Sequence, residues 1–289
     1  MADFKFLQRL SAVPKLETNI YTLKKAVANE KSLLETARKF KLQGNSRLGK
    51  QIWGPNEITY VEGAFQLTLY PASGAIKYLN THKWQVDVGQ KLKIPDEEGV
   101  KIAQKFIAET ALASSNEFRL LKVTRLTVGT LVKGAEKGDE RVIDLGVVFQ
   151  RYIGKVPVEG PGGKLIVFID HEGQVTGCRK IWRDIETVKT KIPFGRLRTP
   201  QFAEEDLIKY WKPSGFIQVE VSECRFGYFE MGHRDKQIYL QPAYVQPIQL
   251  FSRDQRIVSK TVHVTPASST PPVQLMPPFK KFVEQPKRK

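Results

Sequence analysis

Cysteine is nearly missing from this chain of 289 residues: Cys178 and Cys224 are the only two. A zinc site needs clustered thiolates or imidazoles, and neither cysteine has a Cys or His within five residues. Two unpaired thiols are expected, although one disulfide stays geometrically open because both residues fall in predicted strands. Histidine is scarce too. His82, His171, His233 and His263 stand far apart, with no ligand spacing among them. No metal and no cofactor is expected. No apolar run approaches the ~20 residues of a membrane span. The first sixteen residues carry Asp3, Lys5, Arg9 and Lys15, so no signal-peptide apolar region is present. The expectation is a cytoplasmic protein if Met1 is native, and an extracytoplasmic one if an export segment was removed.

Catalytic patterns are also missing. There is no Gly-x-Ser-x-Gly. Cys224 lies between Glu223 and Arg225, whose charges oppose each other in activating a thiol. Gly160-Pro161-Gly162-Gly163-Lys164 ends in lysine as phosphate loops do, but it lacks their order and precedes a strand instead of a helix. It reads as a flexible connection. Glu97-Glu98 and Glu204-Glu205 fall at predicted helix starts, where the helix dipole explains them. No catalytic residue is assigned, and the chain is expected not to be an enzyme.

Positive charge is abundant: 46 Lys and Arg against 30 Asp and Glu, a net charge of +16. That favours anionic partners. Dense basic sequence occurs only at Lys280-Lys281 and Lys287-Arg288-Lys289, with a looser stretch over 179–198. No nucleic-acid reading element accompanies it. An acidic protein is therefore the first partner class, and nucleic acid or another polyanion the second.

Periodicity gives three restarts of helix followed by strands. Asn29 is a candidate N-cap, and Leu33, Leu34, Ala37 and Phe40 form one helical face that Gly44 stops. Strands are expected at 51–53, 57–61, 64–70 and 75–79. Pro95-Asp96-Glu97-Glu98 opens a second helix with Val100, Ala103, Phe106 and Ile107 on its apolar stripe. Strands follow at 118–131, 142–153, 164–169 and 174–182. Asp170-His171-Glu172-Gly173 supplies a tight turn between the last two. A third helix opens at Thr199-Pro200, with strands at 216–229, 237–249 and 256–265. From Pro266 the composition turns to Ser, Thr and Pro, which reads as an extended tail.

This pattern resembles PepSY and thermolysin-propeptide domains. The carrying residues are Val156-Pro157-Val158-Glu159-Gly160, the hairpin through Gly177, and the helix Asp96 to Phe106 with its Ala103-x-x-Phe106. Tandem copies are similar to YycH/YycI-type regulators of bacterial sensor kinases. The resemblance covers about residues 30–182 and, more faintly, 200–265. It implies an α+β fold of tandem units, each one helix packed on a twisted antiparallel sheet. The units are a segment 1–28, unit 1 at 29–92, unit 2 at 93–190, a divergent unit 3 at 191–265 and a Pro-rich basic tail at 266–289. The implied role is non-enzymatic: a regulator, inhibitor or assembly component that binds another protein through its hairpin sheets. A hydrolase with an unrecognised site is the remaining alternative. Tyr70, Tyr78, Trp84, Arg179 and Trp182 flank the two clearest hairpins and are the candidate partner-binding residues, since Tyr, Trp and Arg are enriched at interface hot spots.

Overall fold

The structure is a computed structural model that describes residues 2–13, 15, 17–45, 47, 49–82, 92–130 and 139–277. Two strands, β1 (Asp3–Phe6) and β2 (Thr18–Leu23), precede helix α1 (Glu30–Lys39). A meander follows: β3 (Lys50–Trp53), β4 (Ile58–Glu62), β5 (Phe65–Tyr70) and β6 (Ala75–Asn80). Helix α2 (Asp96–Glu109) leads into β7 (Phe118–Thr130), β8 (Asp139–Ile153), β9 (Val156–Glu159), β10 (Lys164–Ile169), β11 (Val175–Ile181) and β12 (Ile185–Ile192). Helix α3 (Pro200–Trp211) precedes β13 (Gln218–Val221), β14 (Arg225–Phe229), β15 (Tyr239–Phe251) and β16 (Ile257–Pro266).

Local chemistry sets the helix starts. The Asn29 side chain accepts from the Ser32 amide at 2.9 Å, and the Ser32 hydroxyl accepts from the Asn29 amide at 2.9 Å. This reciprocal cap satisfies two donors that the first turn would leave open. Asp96, Glu97 and Glu98 fill the first turn of α2, where the helix dipole favours negative charge. Thr199 caps α3, with Pro200 at its first position. In the turn between β10 and β11, the Asp170 carboxylate accepts from the amides of Glu172 and Gln174 at 3.0 and 2.8 Å, and Gly173 takes φ +79.

The expected architecture of tandem units, each with its own helix and antiparallel sheet, is overturned. Among the described residues, sixteen strands join into one mixed sheet, with three helices. Its main path runs β1-β13-β15-β14-β9-β8-β10-β11-β6-β5-β4-β3. The decisive pairing is β6 with β11, four residue pairs from Leu79↔Gly177 to Ile76↔Lys180. It fuses the two regions expected to be separate units. Helix α1 lies on β4 and β5, and α2 on β7, β8, β10 and β11. Both helices share one core: Leu33 and Ala37 of α1 join Ala103 and Ile107 of α2 over Tyr60, Leu67, Leu145, Phe149, Leu165 and Val167. The sheet is not wholly antiparallel either, because β1 pairs with β13, and β9 with β14, in parallel. Such pairings bring together segments far apart in sequence, so no local pattern encodes them.

The second half buries its own core between β2, β9, β14 and β15, with Val158, Phe226, Tyr228, Leu240 and Tyr244 inside. It continues the sheet through β9, which follows β8 in an antiparallel turn and pairs Tyr228↔Val158 and Phe229↔Glu159 on its other side. Residues 267–277, read from composition as an extended tail, are instead fixed to the fold. Ala267 and Ser268 are buried, the Ala267 amide donates to Pro242 O at 2.9 Å, and the Gln241 side chain donates to Val273 O at 2.8 Å.

The joint between the halves is charged and buried. Glu230, at the end of β14, is fully buried beside Arg183 and Arg151. Its Oε1 accepts from the Arg183 amide at 2.6 Å and from Arg183 Nη1 at 3.3 Å. The same guanidinium donates to the carbonyls of Met231, Gly232 and Asp235 at 3.0, 2.8 and 2.5 Å. Arg151 donates to Arg183 O at 2.7 Å and lies over the Trp182 ring. Burial pushes the Glu230 carboxyl up, against the pull of both arginines. The loop after β14 is thereby pinned to the rest of the sheet by one arginine.

Candidate functional site

Both faces of strand β10 are legible in its burial. Leu165, Val167 and Ile169 point to the helices and are fully buried, while Lys164, Ile166 and Phe168 alternate with them and are only half-buried. The second set faces away from α1 and α2, on the open side of the sheet. Period two assigns its neighbours to the same side. Phe168 stands opposite Gly146 of β8 and Gly177 of β11. A Cβ at either glycine would lie 3.6–3.7 Å from the Phe168 ring. The ring thus spreads over space that both glycines leave. Leu79 of β6, paired with Gly177, adjoins it. Ile166, Phe168, Leu79 and Val148 make an apolar centre on this side.

Its edge is basic. Arg179 is paired in register with Ile166 on one side and with Lys77 on the other. Two cations directly across a strand pair repel, so this placement costs stability. One corner is covered by the loop that Arg183 pins. There Tyr70 meets the His233 ring edge-on at 4.4 Å between centroids, Ser73 donates to His233 O at 2.7 Å, and Arg234 lies 3.8 Å from Glu57. Burial lowers the His233 pKa, with Arg179 and Arg234 acting in the same direction. Asp235 and Glu57 act against them.

The five residues expected to bind a partner divide accordingly. Arg179 lies half-buried on the open face. Tyr70 is on that side too but is 7% exposed beneath His233. Tyr78 and Trp182 are buried on the helix side, where Tyr78 stacks on Phe40 at 4.8 Å. Their aromatic bodies serve the core, so neither side chain lies open to a partner. Trp84 lies outside the described residues. Sequence reasoning did not single out Lys77, Leu79, Ile166 and Phe168, which the sheet register brings together with Arg179 on this face. The available signal was glycine inside two strands, at 146 and 177, which marks close approach by a neighbour.

Other groups have structural explanations. Cys178 is buried in the core under α1 and α2, and Cys224 in the core of the other half; burial pushes both thiols up to about 12. His263 is fully buried on β16, 3.2 Å from Asp206 of α3, which also accepts from Thr265 at 2.8 Å. Those bonds fasten α3 to the sheet. A groove of about 930 Å³ is lined by Glu17, Lys191 and Phe194 beside β2 and β12.

Asp144, at the end of the open face, is 6% exposed and accepts from the Thr176 hydroxyl at 3.1 Å. Burial pushes its carboxyl from 3.8 up to about 6. The folded state therefore holds a proton that the unfolded chain has released. This contribution is full below the unfolded value and is lost as pH rises through the folded one. Asp144→Asn keeps an acceptor for Thr176 and removes the titration. Chemical denaturation at pH 4 to 7 should show the wild type losing on the order of 1–3 kcal/mol more than the variant across this range. Parallel losses would show that burial does not raise the Asp144 pKa.

No protein-family model and no curated protein matches this sequence. The PepSY-type resemblance therefore rests on its sequence motifs alone. The solved structure of an uncharacterized protein from Eubacterium rectale ATCC 33656 is similar over 98% of this chain and 90% of that one, with a TM-score of 0.52 and 12% sequence identity. At that identity the likeness concerns the fold alone.

Proposed function

We propose that this protein is a non-enzymatic binding module that receives an acidic partner protein on the open face of its sheet, as a regulator, inhibitor or assembly component. The observation that carries this reading is the Arg179↔Lys77 pair beside the apolar patch of Phe168, Leu79 and Ile166. Like charges held directly across two strands oppose folding. An incoming carboxylate relieves that repulsion, while the apolar patch supplies area to bury.

Photo-crosslinking tests the reading. A benzoylphenylalanine at Ile166 should yield one dominant protein adduct in native lysate, and the same group at exposed Val27 should not. Lys77→Glu with Arg179→Glu, in a chain whose unfolding midpoint is retained, should abolish that adduct. Equal adducts from both positions would reject the reading. A nucleic-acid adduct whose yield falls steeply with salt would replace it with polyanion binding.

A further inference from the structure

Strand β7 forms an edge of the sheet: among the described residues it pairs with β8 alone. Its other edge presents a row of backbone donors and acceptors ready for another strand. Edges are usually blunted by being short, covered, bulged or charged, and β7 carries bulges and cations but is neither short nor wholly polar. This one is thirteen residues long. Leu120, Leu121 and Leu126 are 48%, 44% and 40% exposed on it. Register shifts between Leu120 and Lys122 and between Leu126 and Thr127 interrupt the side-chain alternation at the exposed leucines. The interspersed charges are cationic: Arg119, Lys122 and Arg125, of which Arg125 is paired with Asp96 of α2. From Asp144 back to Asp139, β8 pairs with β7 alone among the described residues.

We propose that β7 accepts an extended segment of the partner by strand addition, and that this segment alternates acidic with apolar residues. The backbone edge supplies the hydrogen bonds, the leucines the apolar contacts, and Arg119 and Lys122 select for carboxylates. A second copy of this chain is the poorer occupant. Two β7 edges meeting would bring the cations of one toward those of the other, between molecules each carrying +16. The inference shares the acidic partner of the open-face reading and rests on it for that chemistry.

The probe is a fluorescein-labelled peptide of alternating Glu and Val, about ten residues long, the upper end of common strand lengths. Binding is read by anisotropy with the full chain, and site by amide hydrogen exchange. The expected result is saturable binding, with new protection over 118–130. A version N-methylated on alternate residues in one phase should bind at least about tenfold more weakly than the opposite phase. Lys122→Glu should weaken binding, and a Lys-Val peptide should not bind. Equal binding of both N-methyl phases, or protection elsewhere than β7, overturns the proposal. So does a dimer whose β7 amides are already protected without peptide, which would assign the edge to a second copy. Specific crosslinking at Ile166 without β7 protection would reject this inference and keep the open-face reading. Protection at β7 without an Ile166 adduct would do the reverse.

Discussion

Arg183→Met should cost about 3–5 kcal/mol of folding free energy, because it leaves the fully buried Glu230 without its closest cation. It also strips donors from the carbonyls of Met231, Gly232 and Asp235. Met has a similar apolar length, so lost packing contributes little. Glu230→Met in the same chain removes the stranded carboxylate and should recover part of the loss. A double-mutant cycle by urea denaturation should give a coupling of roughly 1–3 kcal/mol. A single-variant loss below about 1 kcal/mol would show that the loop holds itself and that the pair contributes little. The effect should reach the open face as well, since that loop carries His233 onto Tyr70 and Arg234 toward Glu57.

The second large effect is expected at Gly160. Its φ is +95, and a Cβ there would lie 2.7 Å from Glu230 O and 2.7 Å from the Phe229 ring. Gly160→Ala therefore combines backbone strain of roughly 1–3 kcal/mol with an overpacking penalty of similar size. Neither neighbour can yield cheaply. Glu230 donates its amide to Glu159 O at 2.9 Å and accepts from the Gly162 amide at 2.9 Å, and Phe229 pairs with Glu159. Pro161, exposed in the same loop, is the control: Pro161→Ala should change the urea midpoint little. Similar midpoints for the two variants would show a flexible connection, as the glycine content alone suggests. The expected result instead makes this loop a close-packed joint.

Much of the local structure was legible, and the reasons are local. The Asn29 cap, the acids after Pro95 and the Asp170 to Gly173 turn each act within a few residues. Strand β12 was illegible for an equally physical reason. Its residues from Glu186 to Lys191 are exposed on both sides, so no apolar alternation marks it. Strand β1 has four residues and depends on parallel pairing with β13, more than two hundred positions away. The fusion of β6 to β11 was hidden because an edge strand and a central strand share the same alternation. Two of the candidate aromatics proved to be core residues. Tyr78 and Trp182 have the composition of a hot spot, but their strand parity directs them under the helices. Phe168 lies within the apolar run from Leu165 to Ile169, which does not by itself say which side is covered.

The placement of one thiol in each of the two largest cores has a practical consequence. Cys178 reports the opening of the helix-covered half and Cys224 that of the other. Alkylation of the native protein under a large excess of reagent times each exposure event separately. Matching rates would mean that the arginine-pinned joint makes the whole chain open as one cooperative unit. Unequal rates would divide it into two foldons and identify the one that yields first.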